Sequence, residues 1–156
     1  MSSPYEEIVE GETLLRFPPG ERHELICQRL HERVAAVMGQ LPSARLLPPR
    51  SIVQVTAGTM LRPDLALVTA GAGKLWLAAE VIASDDHRSD TVLKKGYYEQ
   101  VNLPRLWMVD PRYDNVEVYH GTQYGLSLKS ILAGKETLME TLLPRFQIII
   151  AELFRE

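Results

Sequence analysis

A single cysteine, Cys27, stands in a chain of 156 residues. It allows no intrachain disulfide and no multi-cysteine metal site, so a reducing, intracellular setting fits best. Long apolar runs are missing too, and none approaches the roughly 20 residues of a membrane span. The N-terminal stretch MSSPYEEIVEGE is polar and acidic, unlike a signal peptide. A cytoplasmic protein with no membrane partner is therefore expected. An excess of basic charge is also absent, since 17 Lys and Arg face 20 Asp and Glu for a formal net charge of −3. That excludes a generally basic nucleic-acid-coating surface and leaves room only for a local basic patch. Repeats, low-complexity tracts and linkers are lacking. With 46% hydrophobic and 24% charged residues, the chain can bury a core, and one domain over residues 1–156 is expected.

What is present reads as strands, helix, strands, helix, strands. Ile8-Val9 and Leu14 to Phe17 flank the turn Glu10-Gly11-Glu12, and Pro18-Pro19-Gly20 ends that hairpin. A helix of about twenty residues follows, with Ile26, Cys27, Leu30, Val34, Val37 and Met38 at spacings of three and four. His23 shares that inward stripe and His31 lies off it. Gly39 and Pro42 stop the helix. Leu46 to Arg50 is a proline-broken loop, and 51–55 a strand. Leu65 to Val68 and Leu75 to Ile82 form a hairpin around Gly71-Ala-Gly-Lys74. That string lacks the spacing of a phosphate loop and leads into a strand, not a helix. A helix over 89–101, capped by Ser89 and closed by Asn102, precedes strands near 106–110, 116–120 and 124–130. Phe146 to Ile150 and a final helical turn complete a mixed sheet flanked by helices, an α/β (α+β) fold.

Three charged residues sit where this pattern calls for apolar ones. Leu75 to Ile82 is apolar at both parities, as in a central strand buried on both faces, yet it contains Glu80. A lone buried carboxylate costs several kcal/mol unless paired or bound to metal, and Ala66, Ala78 and Ala79 leave room beside it. Asp64 opens the preceding strand after Pro63, where a turn role is equally natural. Two carboxylates about 4 Å apart repel by roughly 4 kcal/mol at an effective dielectric of 20, so a cation belongs between them, and a divalent one with oxygen ligands suits. At about 100° per residue, Lys94 falls inside the stripe defined by Leu93, Tyr97 and Val101, while Lys95 points to solvent. An Asp90–Lys94 pair at i,i+4 is the bland alternative. An acid pair with an inward lysine suits metal-assisted hydrolysis of a phosphodiester. Glu7 on the first strand and His23 are lesser candidates. His87, His120 and the Trp76/Trp107 pair read as loop and core residues, and no Ser-His-Asp or Cys-His arrangement can be singled out.

The series Glu7, Gly11-Glu12, His23, Pro63-Asp64, Glu80-Val81, Asp90, Lys94, Tyr98, Leu103-Pro104, Trp107 and Asp110-Pro111 resembles the Uma-two-type branch of the restriction-endonuclease-like PD-(D/E)XK superfamily over nearly the whole chain. The resemblance implies a restriction-endonuclease-like mixed β-sheet flanked by helices and a Mg²⁺ (or Mn²⁺) nuclease site. In it Asp64 and Glu80 are metal ligands, and Lys94 is the catalytic lysine, moved to the helix because Ile82 stands in its usual place. Glu7, His23, Asp90 and Tyr98 match positions the branch commonly keeps. Asn102 stands where Gly is usual, which its capping ability makes harmless, and Arg105-Leu106 replaces a Glu-Tyr-like pair, a change expected to affect packing only. The functional expectation is a metal-dependent DNA endonuclease, with a homodimer compatible. The alternatives are a non-enzymatic nucleic-acid-binding or assembly module that keeps the fold, and hydrolysis of another phosphate-bearing substrate. Arg45, Arg50, Arg62 and Arg88 are the basic residues available to line a DNA groove.

Overall fold

Glu10 and Gly11 both take left-handed backbone angles, φ 50° and 82°, the two-residue turn that suits the twist of an antiparallel hairpin. The turn joins β1 (Tyr5–Val9) to β2 (Glu12–Arg16). The computed structural model describes residues 4–17, 20–82 and 88–156, without side chains at 88–90. Pro18, Pro19, His87 and the side chains of Arg88, Ser89 and Asp90 lie outside the described residues. So do the expected Ser89 cap and the expected roles of Asp90 and Arg88.

Helix α1 (Glu21–Met38) buries His23, Ile26, Leu30 and Val34, the inward stripe its spacing predicts. Three short strands follow: β3 (Ala44–Leu46), β4 (Val53–Thr56) and β5 (Thr59–Leu61). The central hairpin is β6 (Leu65–Thr69) and β7 (Leu75–Val81). Helix α2 (Arg88–Gln100) then crosses over to β8 (Arg105–Asp110), which pairs parallel to β7. A parallel neighbour needs such a crossover, since a tight turn can join only antiparallel strands. Strands β9 (Asn115–Thr122) and β10 (Gly125–Ala133), the small pair β11 (Thr137–Met139) and β12 (Gln147–Ile149), and helix α3 (Ile150–Phe154) complete the described chain.

The main sheet runs β10-β9-β8-β7-β6-β3, and a four-stranded sheet runs β2-β1-β5-β4. On one face of the main sheet, Leu65, Leu67, Leu77, Ala79 and Val81 pack with Ile26, Leu30 and Val34 of α1 and Leu153 and Phe154 of α3. On the other, Ala66, Ala78 and Met108 pack with Tyr97 and Tyr98 of α2 and Val53, Val55 and Leu61 of the smaller sheet. Both faces are therefore covered, which explains why β6 and β7 read as continuous apolar runs. Trp107, fully buried, stacks on Phe146 with ring centroids 5.3 Å apart.

Helix α2 closes as expected of Asn102, whose φ is 56°. The amide of Asn102 donates to Glu99 O at 3.0 Å and that of Leu103 to Tyr98 O at 3.1 Å, the paired bonds of a left-handed helix terminus. Three expectations need correction. Leu93 is exposed, so the buried stripe of α2 is centred on Lys94 itself. Lys95 does not point freely to solvent; its ammonium lies over the Tyr119 ring, 4.9 Å from the centroid. Arg105 does more than pack, because its Nε donates to the buried Glu140 at 2.8 Å and ties β8 to the chain after β11.

Candidate active site

Glu80 points from β7 with the parity of Ala78, towards α2 and the smaller sheet. Its carboxylate is held on both oxygens. Lys94 Nζ lies 3.2 Å from Oε1, and the Tyr98 hydroxyl donates to Oε2 at 2.6 Å. Lys94 and Tyr98 are four apart on α2, so one helical face delivers both donors. Burial pushes the Glu80 carboxyl above its ordinary range; Lys94 opposes that shift, and Asp64 and Glu7 add to it. Tyr98 is pushed well up, chiefly by burial and then by Glu80, so it stays a neutral donor.

Glu7 reaches the same spot from β1 and is fully buried. Lys94 Nζ is 3.2 Å from its Oε1, Arg16 Nε donates to that oxygen at 2.9 Å, and the Arg62 amide donates to Oε2 at 2.7 Å. Glu7, Lys94, Glu80 and Tyr98 thus form one network drawn from three elements.

Asp64 belongs to an adjoining one. The register pairs Leu65 with Ala79, and one further step sets Asp64 across from Glu80. Its Oδ2 accepts the Val81 amide at 2.8 Å and lies 3.7 Å from His23 Nε2, while Oδ1 is 3.4 Å from Arg50 Nε. His23 Nε2 also meets the Val81 carbonyl at 2.9 Å, so the strand end is clasped by Asp64 on its amide and by His23 on its carbonyl. The ammonium of Lys94 sits between Glu7 and Glu80, and the cation beside Asp64 is Arg50.

Arg50 had been expected only as a groove-lining basic residue. Its guanidinium reaches Glu24 Oε1 at 2.5 Å and stacks over Tyr5, 4.9 Å from the ring centroid. Its backbone φ is 56°, a left-handed angle that a side chain of this kind adopts at a cost of about 1–3 kcal/mol. Arg62 Nη1 donates to the Arg50 carbonyl at 3.0 Å, which helps hold that loop. Arg45 is exposed on β3, away from these contacts.

Two further residues were missed. His31 Nε2 contacts the Asp64 carbonyl at 2.9 Å, and Cys27 Sγ lies 3.7 Å from His23 Nδ1. A Cys-His contact is therefore present although none stood out in the chain. The available signal was the four-residue spacing of His23, Cys27 and His31 on one helix. Burial pushes the Cys27 thiol far up, with Asp64 adding to the shift, so it is protonated at neutral pH.

A central hairpin, a crossover helix and a mixed sheet covered on both faces define a restriction-endonuclease-like fold. A family model, Uma2, described as "Putative restriction endonuclease", matches residues 3–151, and the chain belongs to that family. A crystal structure described as that of a "putative nuclease" from Anabaena variabilis superposes with a TM-score of 0.78, at 15% sequence identity. The match covers 97% of this chain and 90% of that one, and at such low identity it speaks for the fold alone. No curated protein matches the sequence. Among the described residues no helix is long and apolar enough to cross a membrane.

Proposed function

We propose that this protein is a metal-dependent endonuclease that hydrolyses DNA phosphodiester bonds, with Asp64 and Glu80 as metal ligands and Lys94 as the catalytic ammonium. The observation that carries this is the burial of Lys94 against Glu80, with Asp64 one register step across the hairpin. A lysine and three acids, Glu7, Asp64 and Glu80, are each at least nine-tenths buried here, an expensive arrangement for a purely structural purpose.

The donor chemistry fits a hard divalent cation. Asp64 and Glu80 offer only carboxylate oxygen, the ligand type that Mg²⁺ and Mn²⁺ prefer. Burial raises the Glu80 carboxyl, with Asp64 and Glu7 adding to the shift against Lys94, and a bound cation would favour its ionised form. Bound there, the cation would supply Lewis-acid stabilisation of charge on the phosphoryl oxygens. The chain's own groups do the rest. Glu7 anchors the ammonium of Lys94, which orients the attacking water and faces the charge developing on the phosphate. Tyr98 fixes the Glu80 carboxylate, and His23 and the Val81 amide fix the strand end beside Asp64. Arg50 and Arg62 add positive charge next to the acids, where the phosphate backbone of DNA would be drawn.

The test is incubation of supercoiled plasmid with the protein and Mg²⁺ or Mn²⁺, beside Asp64→Ala and Lys94→Ala. Nicking or linearisation that both substitutions abolish is the expected result. Cutting that survives both would expose a contaminant. No cutting of any nucleic acid, together with no bound metal, would leave the non-enzymatic assembly module as the better reading.

A further inference from the structure

A second donor set adjoins Asp64 on the α1 side. A carbonyl oxygen can only accept, so the 2.9 Å contact with Val81 O puts the His23 ring proton on Nε2. In the neutral ring Nδ1 then carries the lone pair, and it faces Cys27 Sγ at 3.7 Å and Glu24 Oε1 at 3.5 Å. One ligand atom each from His23, Cys27 and Asp64 lies within 4.8 Å of the others. In a tetrahedral site with bonds of about 2.0–2.3 Å, neighbouring ligand atoms stand about 3.3–3.8 Å apart. The Nδ1–Sγ spacing is close to that already, and Asp64 approaches the ring with Oδ2 at 3.7 Å from Nε2. Glu24 Oε1, 3.5 Å from Nδ1, would have to leave Arg50 to join. Moreover, an imidazole that binds metal ordinarily donates its other N–H to a carbonyl or carboxylate, which fixes the ring. His23 does this to Val81.

We propose that His23, Cys27 and Asp64 form a binding site for a thiophilic divalent cation of the Zn²⁺ class, with Glu24 or a water completing the shell. The thiolate and imidazole select such ions over Mg²⁺, which prefers oxygen alone. Binding breaks the Cys27 S–H bond, forms a metal–sulfur bond and releases the proton to solvent; nothing is oxidised or reduced. Asp64 belongs to this set and to the oxygen set with Glu80, so a cation held here competes for that carboxylate with one held there. On the nuclease reading above, Zn²⁺ is then an inhibitor of Mg²⁺-supported cutting. The site itself does not depend on that reading.

The test is a Co²⁺ titration of the full chain, reduced and free of added thiol. Wild type is expected to develop the near-ultraviolet charge-transfer band of a cobalt-bound thiolate, which Zn²⁺ displaces and Mg²⁺ does not. Cys27→Ser loses the band, and its Zn²⁺ affinity falls by about tenfold or more, since even outer partners of a metal site are worth that much. On wild type alone, Zn²⁺ but not Mg²⁺ slows alkylation of Cys27 by iodoacetamide, a readout independent of whether the variant folds. No charge-transfer band in folded wild type, or alkylation indifferent to Zn²⁺, overturns the proposal. A Co²⁺ band in a protein that cuts no nucleic acid would sink the nuclease reading and leave this site standing.

Discussion

The ammonium of Lys94 lies 3.2 Å from Oε1 of Glu7 and at the same distance from Oε1 of Glu80, on elements that meet only in the folded chain. One cation is thus shared by two buried acids contributed by β1 and β7. Removing one partner of a buried ionic group typically costs about 3–5 kcal/mol, because the partner left behind stays desolvated. Lys94→Ala should therefore lower stability by several kcal/mol, measured by urea denaturation. Restoring apolar balance with Lys94→Met plus Glu80→Gln should recover part of that loss while leaving DNA cutting abolished. If Lys94→Ala were as stable as wild type, the ammonium would not be buried between these acids.

Tyr98→Phe deletes one oxygen and leaves the ring packed. A hydrogen bond contributes about 0.5–1.5 kcal/mol, or about 1.5–3 kcal/mol to a charged group, and the 2.6 Å bond to Glu80 is of the second kind where that carboxyl is ionised. The expected result is a loss of that order in stability together with a Mg²⁺ affinity about 10–100-fold weaker, as for other partners that orient a metal ligand. Isothermal titration of Mg²⁺ into the variant reads the second effect. An unchanged affinity would mean that Glu80 is not a ligand.

The raised Glu80 carboxyl sets the sign of a pH dependence. Its folded-state pKa lies above the ordinary value of 4.5, mainly through burial. In the window between the two, the folded protein binds more protons than the unfolded chain, so stability falls as pH rises. Without metal, the thermal midpoint should decline from the mildly acidic range upward, and Glu80→Gln should flatten that decline. A cation competes with the same proton, so stabilisation by Mg²⁺ should grow with pH across this window. Mg²⁺ stabilisation that is constant with pH would argue that protonation of Glu80 and metal binding are not linked.

The parts of this fold that were legible in the chain are those carried by periodicity. The stripe of α1, the both-face burial of β7 and the inward direction of Lys94 all follow from it. Strands β3, β5 and β11 were not legible, because three residues hold less than two periods of alternation and their pairing is decided by partners distant in sequence. The same limit applied to the site. Glu80 stood out because it broke an apolar run, whereas Arg50 sits in a proline-rich loop where a basic residue is unremarkable. Its role beside Asp64 depends on a left-handed backbone angle and on Tyr5 and Glu24 arriving from other elements. His31 lies off the apolar stripe, yet a flanking position is what reaches the Asp64 carbonyl just before β6.

Two backbone positions offer a test of the scaffold apart from its chemistry. Asn102 holds a φ of 56° at the end of α2. Glycine tolerates that angle without penalty, so Asn102→Gly should be neutral or stabilising, while Asn102→Ala should cost about 1 kcal/mol. Gly121, on β9, is required for a different reason. A Cβ there would stand 2.4 Å from the Leu103 carbonyl oxygen, a backbone atom just beyond the same helix terminus that cannot move aside without disturbing the cap. Gly121→Ala should therefore destabilise by about 1–3 kcal/mol, the usual range for overpacking. Because Leu103 follows the helix that carries Lys94 and Tyr98, the strain should also loosen that helix against the sheet. Amide exchange along α2 should then accelerate in Gly121→Ala and not in Asn102→Gly. Unaltered exchange in Gly121→Ala would show that β9 does not brace the end of α2.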